Sequence, residues 1–456
     1  MTFGAQNVGR VMAELSEYIA SACTMDIPPQ VAEKAKHHVL DTLCAMISGS
    51  TLLPGKKAIE YVNSLGGTPE ATVAGCGTLT SAVNAALANG MLAHADESDD
   101  SHAPSGTHPG CAIVPAALAM AERTAACGDA FLRAVVLGYD VGCRMNFALG
   151  RDTLSKSSRS THSIGGVFGA GAAAAAFGLS ATGVRHALSY TAQQASGITS
   201  WARDTEHIEK AFVFGGMAAR NGVSSATMVL SGFTGVDDVL SGSGNFLQAF
   251  SHAPEPERLV KALGAEFEIM STNIKKWPVG SPIQAAVDSL LAIIDENKLE
   301  TEDIAKVSVR LPVHGARTVN NRHMPDICLQ HVMALILVDG RLTFSAVQDY
   351  ERMNEPEVLE WRSRVELVED EELSTATPPR QAIVEISTRQ RRTYVHRTKA
   401  VRGTSDNPMS TSEVKAKAHD LVCDVLGDSK TQVLIDTVWK IEDVCDIRDL
   451  RELISK

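Results

Sequence analysis

The chain has 456 residues, 44% of them hydrophobic and 21% charged, which exceeds the size at which a single core usually stops growing and makes two globular domains the expectation. Its formal charge of -12 argues against a nucleic-acid partner, since phosphate backbones are bound by clustered Lys and Arg, and it means that an anionic ligand needs a locally basic pocket. The nine cysteines contain no pair spaced as a zinc knuckle or an iron–sulfur run, so they read as reduced core thiols of a cytoplasmic protein.

Taken in order, residues 1–20 carry Gln6, Arg10, Glu14 and Glu17 and lack the apolar centre of an export signal. From residue 8 to about 264 apolar residues recur at three- and four-residue spacing, interrupted by Gly, Pro or Ser. Helices are predicted over 31–46, with Val31, Ala35, Val39, Leu43 and Met46 on one stripe, and over 80–94, 113–125, 128–148, 182–194 and 216–230. The least polar stretch, 164–179, is too short and too rich in Gly and Ala to span a membrane, and reads as a buried helix. After about residue 267 the pattern changes. Period-two alternation predicts strands at 305–312, 381–387 and 393–400, interleaved with helices at 280–297, 331–339 and 345–352. Helical periodicity returns over 411–455, opening at a Ser-Thr-Ser cap with Glu413 placed for a capping box. The expected fold class is mainly α: an all-helical domain over 1–266, completed by 405–456, and a smaller α+β domain over 267–404.

The densest group of titratable residues lies between His94 and His108, where three histidines and a run of carboxylates sit in a loop rich in Pro, Gly and Ser. A solvated acidic loop and a chemical site are the competing readings, and histidines at both ends favour the site. Asp99, Asp100, His102 and His108 also carry side chains suited to a divalent cation, although their spacing matches no strong ligand motif, and no metal is expected.

The run from His94 through Asp96, Glu97, Asp99 and Asp100 to His108-Pro109 resembles the signature of the MmgE/PrpD family, with Glu97 where the family has Asp. Four further segments are similar in order and spacing. These are the Gly/Ala-rich stretch from His162, Lys210 followed by Gly215, Gly216 and Gly222, the Lys275-Lys276-Trp277-Pro278 element, and Gln330-His331 with Asp339-Gly340. The resemblance implies a large helical domain, a smaller α+β lid, a cleft between them and a homodimer. It also implies cofactor-free chemistry on a small anionic carboxylate, as in 2-methylcitrate dehydratase, cis-aconitate decarboxylase and iminodisuccinate epimerase.

Carried over by position, the catalytic set is His108, His162, Lys210 and Lys275, with Glu97 and Ser101 from the loop. Asp100, His102, Lys276 and Gly166 are added as substrate-binding candidates. Removing a proton next to a carboxylate builds up an enolate-like dianion, so such a site needs a base near neutrality and fixed positive charge. The histidines supply the first and the lysines the second. Gly165-Gly166 and the amides of the following helix are a candidate carboxylate cradle. One position departs from the family: Gly280 stands where decarboxylases carry a protonating histidine, which favours dehydration over decarboxylation. A lyase that dehydrates a small di- or tricarboxylic acid is therefore expected, with an epimerase, a decarboxylase, or a non-catalytic carboxylate-binding dimer as alternatives.

Overall fold

The computed structural model describes residues 8–456; residues 1–7, the start of the segment read above for its lack of an export signal, lie outside it. The fold is mainly helical, with a smaller α+β part. Its described residues divide into two compact units, one formed by 8–95, Asp99–Thr272 and Val414–Lys456, the other by Asp96–Ser98 and Asn273–Glu413.

The first unit is built from helices that approach closely because their contact faces are small. Pro29–Gly49 starts with proline in its first turn, where a missing amide costs nothing, and Val31, Ala35, Val39, Leu43 and Met46 are all buried. From His37 onward every residue of this helix is buried, including His38 and Asp41, so it runs through the interior instead of along the surface. Helices Ala82–Ala93, Thr161–Ala175 and Ala181–Gln194 begin under Ser81, Ser160 and Ser180, whose side chains accept the amides of Asn84, Ser163 and Gly183. Thr161–Ala175 packs against both Gly128–Leu149 and Met217–Leu230. A Cβ on Gly169 would lie 2.6 Å from the carbonyl oxygen of Gly138, so this crossing requires glycine.

The helical run from Ile208 to Leu230 is interrupted by a π turn at Phe212–Gly216, which adds a residue to one turn and re-aims the side chains around it. Among the described residues no helix is long and apolar enough to cross a membrane. The nine cysteines are all free thiols.

The second unit holds a four-stranded sheet in the order Val365–Asp370, Ile304–Pro312, Ala382–Thr388, Thr393–Thr398. The first pair is parallel, in register Val307↔Val365, and the other two pairs are antiparallel. Val307, Val309 and Leu311 alternate onto the buried face with Val384 and Ile386, where Leu290 of Gln284–Asn297 and Val332 and Ile336 of Leu329–Asp339 share their core. At the end of the unit, Ser410 and Glu413 form the anticipated capping box: the Ser410 amide donates to Glu413 Oε2 at 2.9 Å, and the Glu413 amide to Ser410 Oγ at 3.4 Å.

Candidate active site

In the first unit the helix Ala82–Ala93 ends at His94, and Gly110–Thr124 begins just after His108 and Pro109. Between them, two adjacent carboxylates face different partners. Asp99 Oδ2 accepts from His94 Nδ1 at 2.8 Å and from His108 Nδ1 at 2.9 Å. Asp100 Oδ2 accepts from His38 Nδ1 at 2.7 Å and from the Tyr139 hydroxyl at 2.5 Å, while its Oδ1 accepts the Gly110 amide at 2.9 Å. Asp100 therefore pins the loop to three helices, and Asp99 orients two imidazoles.

A carboxylate can only accept, so each ring bonded to Asp99 donates through Nδ1. For His108 this fixes the tautomer with Nε2 as the lone-pair nitrogen, and Nε2 makes no hydrogen bond to any described residue. The same logic orients the histidine of a Ser-His-Asp triad. His108 is also the more accessible of the pair: its side chain is 12% exposed, whereas that of His94 is fully buried.

Phe214, carried on the π turn, organises the surrounding rings. His162 and His94 lie nearly parallel to it, with centroids at 3.8 and 4.2 Å, and Trp201 and His108 meet it edge-on at 4.7 and 5.3 Å. His108 and His162 contact each other at 5.2 Å. The Lys210 ammonium lies 5.4 Å from the Phe214 centroid and 5.8 Å from that of Trp201, bringing a positive charge to the same cluster. Burial pushes both His162 and His94 well below the usual imidazole range, even though Asp99 opposes the shift at His94. His162 is thus a neutral ring at pH 7, and its buried Nδ1 has no hydrogen-bond partner among the described residues.

His108, His162 and Lys210, three of the four residues expected to be catalytic, therefore lie within one ring cluster. Ser101 is buried in the same unit. Lys275 and Glu97 belong to the second unit, where the buried Lys275 Nζ donates to the Glu97 carbonyl oxygen at 2.6 Å and lies 3.3 Å from Glu97 Oε2. Glu97 adopts φ +58°, a left-handed conformation that costs energy for a non-glycine residue. Lys276 lies over the ring of Trp277, 4.7 Å from its centroid.

Three candidates have other occupations. Both Asp100 oxygens are spent on His38, Tyr139 and Gly110. His102 is fully buried, with Nδ1 on Ser105 Oγ at 2.8 Å and Nε2 3.4 Å from Glu268. The helix that was to offer its free amides at Gly165-Gly166 begins at Thr161, so both glycines lie in its second turn. Gly166 is there for close packing, since its Cβ would come within 3.0 Å of Ala218 and 3.1 Å of Ala112. Among the described residues the set Asp99, Asp100, His102 and His108 does not assemble as metal ligands, whereas His94, Asp99 and Cys111 form one group whose ligand atoms lie within 4.8 Å of one another.

The residue-by-residue reading missed His94 and Asp99 as site members, together with His38, Tyr139, Trp201 and Phe214. The spacing of His94, Asp99 and His108 carried a usable signal, because both histidines flank a carboxylate that can reach each of them. Nothing in the sequence marks Phe214, whose position depends on the π turn.

Comparison with known proteins covers nearly the whole chain. Residues 13–259 match the MmgE/PrpD N-terminal domain and residues 277–443 the MmgE/PrpD C-terminal domain. A cis-aconitate decarboxylase-like protein, oryM, of Aspergillus oryzae is 31% identical over 288 residues, which is 59% of this chain and 58% of that one. A cis-aconitate decarboxylase of Aspergillus terreus is 26% identical over 479 residues, spanning 98% of this chain and 96% of the relative.

Proposed function

Because the chain belongs to the MmgE/PrpD family, whose relatives support a lyase-type function, we propose that it dehydrates a small di- or tricarboxylic acid. The observation that carries this reading is the Asp99–His108 pair, a base with a fixed tautomer and an unengaged Nε2, next to the neutral ring of His162. In this reading His108 Nε2 takes the proton alpha to a carboxylate, and the negative charge that develops is balanced by the Lys210 ammonium. His162 hydrogen-bonds the departing hydroxyl. Water then leaves carrying the proton that His108 removed, so the site returns to its starting charge. Ser101 keeps the substrate-binding role that family resemblance implies for it.

Decarboxylation is the second reading, and what favours it is the name carried by the full-length relative. Against it stands Gly280, which offers no side chain to protonate a carbanion. Incubation with a panel of citrate-like and aspartate-like acids separates the outcomes: dehydration gives new alkene absorbance without CO₂, decarboxylation gives CO₂, and epimerisation gives deuterium wash-in with neither. In the His108→Ala variant turnover is expected to vanish while the circular dichroism spectrum is kept. Full activity in that variant would reject the assignment.

A further inference from the structure

A second group of metal-ligating side chains lies outside the ring cluster, on the helices Thr411–Leu426 and Asp428–Trp439. His419 and Cys423 are four residues apart and so share one face of the first helix. Gly427, at φ +81°, turns the chain tightly enough for Asp428, the first residue of the next helix, to face back toward them. His419 Nε2 lies 2.7 Å from Asp428 Oδ1, and the imidazole nitrogen, the Cys423 sulfur and the carboxylate oxygen all lie within 4.8 Å of one another. The group is open to solvent, with the His419 side chain 44% and that of Asp428 85% exposed.

We propose that His419, Cys423 and Asp428 form a surface binding site for a single divalent zinc ion, completed by water. One thiolate, one imidazole and one carboxylate are a borderline-soft donor set that suits Zn(II), whereas Ca(II) and Mg(II) require mainly oxygen ligands. Tetrahedral zinc with bonds of about 2.0–2.3 Å holds its ligand atoms roughly 3.5 Å apart, a spacing that lies between the 2.7 Å separation of His419 Nε2 and Asp428 Oδ1 and the 4.8 Å limit on the whole group. On binding, the Cys423 thiol gives up its proton to solvent as the metal–sulfur bond forms. The His419 ring, whose Nε2 then faces the metal, carries its proton on Nδ1, and the hydrogen bond between His419 and Asp428 is replaced by a shared ion. The bound ion would tie the last turns of one helix to the start of the next.

The test uses the full-length protein, titrated with Co(II) as a spectroscopic stand-in and then with Zn(II). The wild type is expected to develop a thiolate-to-Co(II) charge-transfer band that Zn(II) abolishes. Cys423→Ser should lose that band, and His419→Ala should weaken Zn(II) binding at least tenfold by calorimetry. Because His94, Asp99 and Cys111 form another group with ligand character, Cys111→Ser serves as the control and should keep the band. A wild type without the band, or a band that survives Cys423→Ser and disappears in Cys111→Ser, overturns the proposal. Since Cys423 and His419 are remote from the ring cluster in sequence and lie on exposed helices, unchanged circular dichroism in both variants is the accompanying check.

Discussion

Asp99 does two jobs at once: it accepts only, and it accepts from both His94 and His108. In Asp99→Asn the one atom that meets both rings becomes either an uncharged amide oxygen, which keeps both bonds but no longer stabilises a protonated imidazole, or an amide nitrogen, against which both rings must carry a lone pair at Nδ1 and a proton at Nε2. Either way the base is impaired even though the geometry survives. In serine proteases the equivalent exchange lowers kcat by about 10⁴-fold. A fall of about 10²- to 10⁴-fold in kcat with a much smaller change in KM is expected here, and kcat within threefold of wild type would mean that Asp99 does not set the base. The site was partly legible at this scale. His108, His162 and Lys210 could be named because the order and spacing of their segments resemble the family's, and their types restrict the chemistry. The His38–Asp100–Tyr139 network was not legible, since its members lie on separate helices and each alone looks like an ordinary interior or loop residue.

Helices with regular apolar spacing were readable to within a few residues, as Pro29–Gly49 and Met217–Leu230 illustrate against expectations of 31–46 and 216–230. Three of the four sheet strands were equally visible through alternation. The fourth, Val365–Asp370, was not, because it lies at the sheet edge and three of its six residues are acidic, so its pairing with Ile304–Pro312 comes from tertiary context. The π turn was also invisible, yet it sets a helix crossing beside the ring cluster. A Cβ on Gly215 would fall 1.9 Å from the backbone oxygen of Gly90, an overlap that no side-chain rotation relieves. Gly215→Ala must therefore push Ala82–Ala93 away from the turn that carries Phe214, at a cost of about 1–3 kcal/mol from overpacking. Gly183→Ala is the contrasting change: its Cβ meets only the Leu179 side chain, at 3.2 Å, and better helix propensity offsets the contact. Urea midpoints should fall markedly for the first and stay near wild type for the second. Equal midpoints would show that the crossing is slack.

Across the whole molecule the interior holds an unusual number of neutral imidazoles. Burial lowers His37, His38 and His331 to about 4, and puts His94 and His162 well below the usual range. Burial acts in the opposite sense on Asp41, raised to about 6, and Asp140, raised to about 7. The signs then follow. A histidine with a depressed folded-state pKa binds its proton more readily when unfolded, so stability is lost as pH falls from 6.5 toward 4. A carboxyl group raised by burial keeps its proton better when folded, so its contribution is lost as pH rises from 3.8 toward 7. Near pH 5 the histidines outnumber the raised carboxyls, and stability should decline on acidification. His331 isolates the effect because both of its ring nitrogens are buried without a hydrogen-bond partner among the described residues. Its shift from 6.5 to about 4 implies about 2 kcal/mol lost between pH 8 and pH 5. His331→Leu removes that titration and puts an apolar side chain at a position within the fully buried stretch of Leu329–Asp339. Urea unfolding should therefore find the variant more stable than wild type at pH 5 by an increment that shrinks toward pH 8, and a difference independent of pH would mean that His331 is not the titrating group.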